Sequence, residues 1–269
     1  MKRTTISKIY DYKQENKKFS VITCYDYTTA SLIADTDIDM LMVGDSAAQV
    51  MLGEKSTLPA TMDYMTLITK AVTRGAPSKL IAADMPFLSY QTSIKDAIIN
   101  AGRFVTESDA DIVKIEVTDK QVDIIEAVSD AGIAVMAHIG MRPQSINLTG
   151  RLKAEGTTDA DCAALLETAK KMQSAGAKML LLEGVAREAA KIVTDNIQVP
   201  VISCGSGPDC DGQVLVISDV LGLNKGFMPK FSRKFADIGD QITKTIAQYD
   251  EEVKNAGYPK DSESYHMKK

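Results

Sequence analysis

The sequence predicts an α/β protein, a (β/α)8 TIM barrel, on three observations. Eight short apolar runs recur along the chain, amphipathic segments separate them, and 269 residues match the about 250 that such a barrel uses. The runs fall at residues 20–23, 40–44, 80–83, 112–115, 134–137, 179–182, 199–203 and 214–217. They are rich in Val, Ile, Leu and Met and do not alternate with polar residues, which suits parallel strands buried on both faces.

Between the runs, residues 62–74, 94–108, 121–130, 159–174 and 187–196 carry apolar residues at helical spacing. Ala131-Gly132 and Ala175-Gly176 precede the next run, where glycine takes the left-handed conformation that ends a helix. Strand–helix alternation of this kind means a parallel sheet. Eight units favour a closed barrel over an open Rossmann-like sheet, and no G-x-G-x-x-G follows the first run.

Two segments lie outside the repeat. The first twenty residues are expected to form a short helix closing the barrel's bottom, and 233–255 reads as a long amphipathic C-terminal helix. One catalytic domain is expected over residues 1–258, followed by a polar tail at 259–269.

Composition narrows the function. Hydrophobic content of 45% and charged content of 25% describe an ordinary soluble globular chain. With 31 basic against 36 acidic residues, the net charge of −5 argues against a nucleic-acid surface. No segment has signal-peptide character or approaches the ~18 apolar residues of a membrane span. Cys24, Cys162, Cys204 and Cys210 form no C-x-x-C pair, so reduced thiols and a cytoplasmic location are expected. Only His138 and His266 are present, which excludes a multi-histidine metal site.

Barrels of this type place their chemistry at the C-terminal strand ends. The first run leads into Cys24-Tyr25-Asp26. The second ends in Gly44-Asp45-Ser46, the third in Asp84, the fourth in Lys114 and Glu116, the fifth in His138 and the sixth in Glu183. One carboxylate at a strand end is usually a helix cap. Five consecutive ionisable ends around one rim are not explained that way, because converging carboxylates repel unless a cation neutralises them. Asp45, Asp84 and Glu116 offer only oxygen, which suits a hard cation such as Mg2+. Lys114 and Glu116 are two apart on one strand, so both point the same way. Metal and lysine together suit a chelating 2-oxo acid, with the metal polarising the ketone. Glu183, after three leucines, is the natural base, since apolar surroundings raise its pKa. His138 is placed to orient substrate or to stabilise developing charge. The loop Gly205-Ser206-Gly207-Pro208 reads either as a phosphate cradle or as a tight turn.

The runs VITCYDYTTA, MLMVGDS, STLPATMDY, AVTRGAP, LIAADMPFLSY, DIVKIE, AHIGMRPQSIN, LLLEGV, PVISCGSGPDCDGQVLV and FMPKF resemble the ketopantoate hydroxymethyltransferases in order and spacing, from Thr4 to about Tyr258. The resemblance implies transfer of a hydroxymethyl group from 5,10-methylenetetrahydrofolate to 3-methyl-2-oxobutanoate, giving 2-dehydropantoate on the route to pantothenate and coenzyme A. It implies Mg2+ on Asp45, Asp84 and Glu116. It also implies 2-oxo acid contacts from Asp45, Ser46, Asp84 and Lys114, Glu183 as proton acceptor, His138 beside the substrate, and a homo-oligomer, commonly a decamer. The sequence departs from the family pattern at the rim, at Ala47, Ala48 and Gln49 and at Arg151 and Leu152. Two rivals follow from the same residues. One is a metal-dependent C–C or C–P lyase or mutase of the phosphoenolpyruvate and 2-oxo acid barrel type, working without folate. The other is a non-catalytic relative kept for binding or assembly, which would be expected to have lost rim carboxylates.

Overall fold

The computed structural model describes residues 3–226 and 228–268. Phe227, which opens the FMPKF run, lies outside them. The chain divides into two compact units, Met1–Val216 and Ile217–Lys269.

In the first unit, eight strands close into a barrel. They are β1 (Phe19–Thr23), β2 (Met40–Val43), β3 (Leu80–Asp84), β4 (Ile112–Glu116), β5 (Val135–Gly140), β6 (Met179–Glu183), β7 (Val201–Cys204) and β8 (Gly212–Leu215). Each pairs in parallel with its sequence neighbours, and β8 returns to β1. The expected runs all become strands, with shifts at the ends. β3, β4 and β6 each take in the carboxylate expected just past them, and β5 runs through His138 to Gly140. β7 begins after Pro200, which has no N–H to give a ladder. β8 lies two residues earlier than expected, because Ile217 already starts the next helix.

The helices of this unit are α1 (Ile6–Gln14), α2 (Tyr27–Ala34), α3 (Ala47–Val50), α4 (Met62–Gly75), α5 (Ile94–Ser108), α6 (Val122–Asp130), α7 (Ile146–Thr149), α8 (Asp159–Ser174) and α9 (Arg187–Asn196). Asp26, Thr61, Ser93 and Thr158 accept a backbone N–H from the first turns of α2, α4, α5 and α8. Each such cap is worth about 1 kcal/mol. Asp26 is therefore accounted for as a cap.

Side chains alternate in and out along each strand, so parity divides the barrel interior. Val21, Met40, Met42, Leu80, Ala82, Ile112, Met136, Met179, Leu181, Ile202 and Val214 pack together as its apolar lower half. Ile9 and Tyr12 of α1 join the same cluster and close the bottom, as expected of the N-terminal helix. Continuing the same parity upward leads to Asp84, Lys114, Glu116, His138 and Glu183.

In the second unit, α10 (Ile217–Val220) and α11 (Ile238–Lys254) are joined by a loop in which Asn224 and Ser232 donate to the Asp219 carboxylate. The long C-terminal helix starts at Ile238, five residues later than expected. The preceding stretch instead bonds back to α10, with the Phe235 and Ala236 N–H groups donating to Val220 O. Within α11, Ile242, Ile246, Tyr249 and Val253 share one exposed face. No helix among the described residues is long and apolar enough to cross a membrane.

Candidate active site

The strand register assembles the rim. Asp84 pairs with Lys114 across β3 and β4, Glu116 with His138 across β4 and β5, and Gly140 with Glu183 across β5 and β6. Residues of four consecutive strands, β3 to β6, thus become neighbours through the sheet register itself. The Lys114 ammonium lies 3.0 Å from Asp84 Oδ2 and 3.4 Å from His138 Nδ1. An ammonium only donates, so Nδ1 is the acceptor and the ring proton sits on Nε2. His138 Nε2 lies 3.3 Å from Glu183 Oε2, at an angle that makes no hydrogen bond. Lys114, His138 and Glu183 therefore form one line across the mouth.

Burial sets the charge states along that line. Burial raises Glu183 to about 7, with the Lys114 charge opposing it. Burial, then Lys114, lowers His138 to about 3, which keeps the imidazole neutral. Burial works against the Lys114 charge too, but Asp84 and Asp45 outweigh it and the ammonium is held charged. Asp84 is raised to about 6 by burial, against Lys114 and with Asp45. Glu116 is raised by burial as well.

Asp45 and Ser46 follow β2. The Asp45 N–H donates to Asp84 Oδ2 at 3.0 Å, and Ser46 Oγ shares a 2.9 Å hydrogen bond with Tyr25 OH. Gly44 keeps this corner open, since a Cβ there would lie 2.7 Å from Ser46 Oγ.

The donor set fits a divalent cation. All candidate ligands are oxygens, and Asp84 Oδ1 is buried with no hydrogen-bond partner. Such an orphaned carboxylate oxygen is costly unless something positive meets it. Among the described residues, no three His, Cys, Asp or Glu side chains already converge as a metal cage. A cation held here would therefore take one or two carboxylates and complete its shell with water and substrate, as Mg2+ does. Glu116 stands apart, with Oε2 accepting from Gln144 N at 3.1 Å and Oε1 from Ser145 Oγ at 3.3 Å.

Sequence reasoning passed over three buried neutral groups: Gln144, Tyr90 and Tyr25. The Gln144 amide donates to Asp45 Oδ2 at 2.9 Å and to Met85 O at 3.0 Å. Tyr90 OH lies 2.7 Å from Gln144 Oε1 and 2.8 Å from Glu116 O. Their one available signal was a polar residue just after the strand-five end, in HIGMRPQ. The glycine loop after β7 is a tight turn. Ser206 Oγ donates to Leu182 O and accepts from Val185 N, while Gly205 and Gly207 hold φ near 74° and 88°. A cavity of about 620 Å3 lies outside the mouth, between the tops of β4 and β5, the 149–157 segment and α8. The altered rim residues Arg151 and Leu152 line it.

A family model described as ketopantoate hydroxymethyltransferase matches residues 3–261. The curated 3-methyl-2-oxobutanoate hydroxymethyltransferase of Geotalea daltonii is 43% identical over 264 residues, covering 98% of this chain and 99% of that protein. The protein of the same name from Caldicellulosiruptor bescii is 43% identical over 265 residues, covering 98% and 100%. Among solved structures, a 2,3-dimethylmalate lyase has a TM-score of 0.61 at 18% identity, over 95% of this chain and 89% of that one. A phosphonopyruvate hydrolase in complex with oxalate and Mg++ has a TM-score of 0.63 at 9% identity, over 98% and 92%. At those identities the likeness shows the fold alone, so the lyase and mutase rival gains nothing specific from it. By the family model and by identity over nearly its whole length, the chain belongs to the ketopantoate hydroxymethyltransferase family.

Proposed function

We propose that the chain transfers a hydroxymethyl group from 5,10-methylenetetrahydrofolate to 3-methyl-2-oxobutanoate, giving 2-dehydropantoate. The observation that carries this reading is Glu183, a largely buried carboxylate with its side chain 18% exposed, raised to about 7 at the barrel mouth beside a neutral histidine. A carboxylate in that range is basic enough to take a proton from carbon and still ionised at neutral pH.

Asp45 and Asp84 are the residues that would hold a divalent cation, with Glu116 behind them. When bound there, the cation supplies Lewis-acid polarisation of the substrate ketone. Lys114 faces the same space and offers a fixed positive charge to the substrate carboxylate or to the developing oxyanion. Ser46, oriented by Tyr25, adds a hydroxyl contact. Glu183 takes the C3 proton, and the electron pair left on C3 forms the new bond to the one-carbon unit as the first of that carbon's two bonds to folate nitrogen breaks. Water then replaces the second nitrogen, and the two folate nitrogens take up the proton from C3 and one from water, leaving the hydroxymethyl group and tetrahydrofolate. His138, neutral with its proton on Nε2, holds the line between Lys114 and Glu183.

Two further expectations belong to this reading. The apolar face of α11, with Ile242, Ile246, Tyr249 and Val253, suits self-association into a homo-oligomer. Four cysteines without a disulfide suit work in the cytoplasm.

The test is product analysis with Mg2+ and 3-methyl-2-oxobutanoate, with and without methylenetetrahydrofolate. Formation of 2-dehydropantoate only in the complete mixture is the expected result. Turnover of the 2-oxo acid without folate would favour the lyase and mutase class instead.

A further inference from the structure

Gln144 is buried at the centre of the mouth, yet it has no place in the chemistry above. Its position is set locally. Pro143 opens a short 3-10 turn, Pro143–Ser145, and fixes the entry angle. The N–H groups in the first turn of a helix have no partner within it, so Gln144 N is free to reach Glu116 Oε2. The side chain then crosses the mouth in the other direction. Its two amide hydrogens go to Asp45 Oδ2 and Met85 O, and Tyr90 OH and Gln91 Nε2 approach its Oε1 at 2.7 Å and 3.4 Å. The carboxylate and the carbonyl on one side can only accept, and that fixes which way the amide points.

The result is a pattern across the carboxylates. Asp45 Oδ2 is taken by Gln144, and Asp84 Oδ2 is taken by Lys114 and the Asp45 N–H. Asp84 Oδ1 is buried and has no hydrogen-bond partner. Both Glu116 oxygens are held by the Gln144–Ser145 turn. One oxygen of each aspartate is thus engaged from within the protein. Outer partners of this kind orient ligands and are worth about 10- to 100-fold in metal affinity.

We propose that Gln144 is a positioning residue for cation binding: its backbone and amide N–H groups fix the Glu116 and Asp45 carboxylates, so that a divalent cation meets the remaining oxygens of Asp45 and Asp84. The proposal rests on the metal reading of the site given above. Only glutamine provides two donors and an acceptor on this stem. Glutamate would set an oxygen against Asp45 Oδ2, and methionine would fill the space without donating.

The test titrates the full chain with Mn2+ in the absence of any 2-oxo acid, reading free Mn2+ by electron paramagnetic resonance. Four proteins are compared: wild type, Gln144→Met, Tyr90→Phe and Leu80→Ala. Gln144→Met is expected to bind Mn2+ about 10- to 100-fold more weakly. Tyr90→Phe, which removes the hydroxyl lying between the Gln144 amide oxygen and Glu116 O, is expected to bind it several-fold more weakly. Leu80→Ala, confined to the lower core, is expected to keep the wild-type affinity. If Gln144→Met does not fold, Tyr90→Phe decides, and wild-type affinity there overturns the proposal. Wild-type affinity in a folded Gln144→Met protein overturns it directly. An equal loss in Leu80→Ala would make the effect one of general stability and also overturn it. Absence of Mn2+ binding by the wild type would remove the metal reading itself, a different failure from the others.

Discussion

The lower and upper halves of the barrel interior are built on the same strands with the same parity, and they do opposite things. Below, Leu80, Ile112, Met136 and Met179 bury apolar surface under the lid of Ile9 and Tyr12. Above, Asp84, Lys114, Glu116 and His138 bury ionisable groups in a space of similar depth. The lower half stabilises the fold through the hydrophobic effect. The upper half lowers its stability, since buried charge costs more than pairing returns. What the upper half gains is a set of shifted protonation states, and those are the means of catalysis.

The largest expected effect comes from the upper half alone. Glu183→Gln is expected to lower kcat about 1,000-fold, within the range that general bases contribute. Burial of the charged form ends with it, so thermal stability above pH 7 is expected to hold or rise. A variant that lost activity only because it unfolded would erase the distinction between the halves.

Lys114→Met is next. It leaves Asp84 buried beside Asp45 without its ammonium, and breaking such a pair costs about 3–5 kcal/mol. Denaturant titration at pH 7 would read this, and the loss is expected to shrink as pH falls toward about 6, because Asp84 is raised to about 6 even with Lys114 present and protonates more readily without it. In the lower half, Leu80→Ala is expected to cost about 2–5 kcal/mol while leaving kcat per folded molecule within a few-fold of wild type. A large kcat loss there would join the two halves functionally.

The pH dependence sharpens the same contrast. Glu183 is raised from its ordinary value to about 7, so its share of stability is present at low pH and is lost as pH rises through about 7. His138 is lowered to about 3, so its share is present above its ordinary range and is lost as pH falls below about 6.5. The two therefore oppose each other between about pH 4.5 and 6.5, where falling pH restores the Glu183 share while it removes that of His138, and above about 7 neither changes much further. The rate is expected to rise with pH and level off above about 7, as Glu183 ionises. Titration of wild type against Glu183→Gln by thermal melts at pH 5 and pH 8 would resolve the smaller of these effects.

Much of this was legible in the sequence for one reason. A parallel barrel strand is buried on both faces, so it reads as a continuous apolar run, and a charge at its end stands out. Asp84, Lys114, Glu116, His138 and Glu183 all announced themselves that way, and parity placed them on one side. Gln144 and Tyr90 did not. They are neutral, they lie in loops, and their partners are far away in sequence, with Asp45 and Gln144 standing 99 positions apart. Asp26 carried the same signal as the rim acids and proved to be a helix cap, because a strand end and a helix start share one position. The start of α11 was placed too early because residues 233–237 continue its polar composition while the N–H groups of Phe235 and Ala236 are drawn to α10.

Proton exchange at C3 of 3-methyl-2-oxobutanoate in deuterated water, with Mg2+ present and folate omitted, tests the central claim most directly. The wild type is expected to exchange that proton, faster as pH rises toward about 7 and then at a constant rate. Folded Glu183→Gln is expected to exchange it at the background rate. Exchange at the wild-type rate in Glu183→Gln would contradict the account, because the proton would then leave by another group.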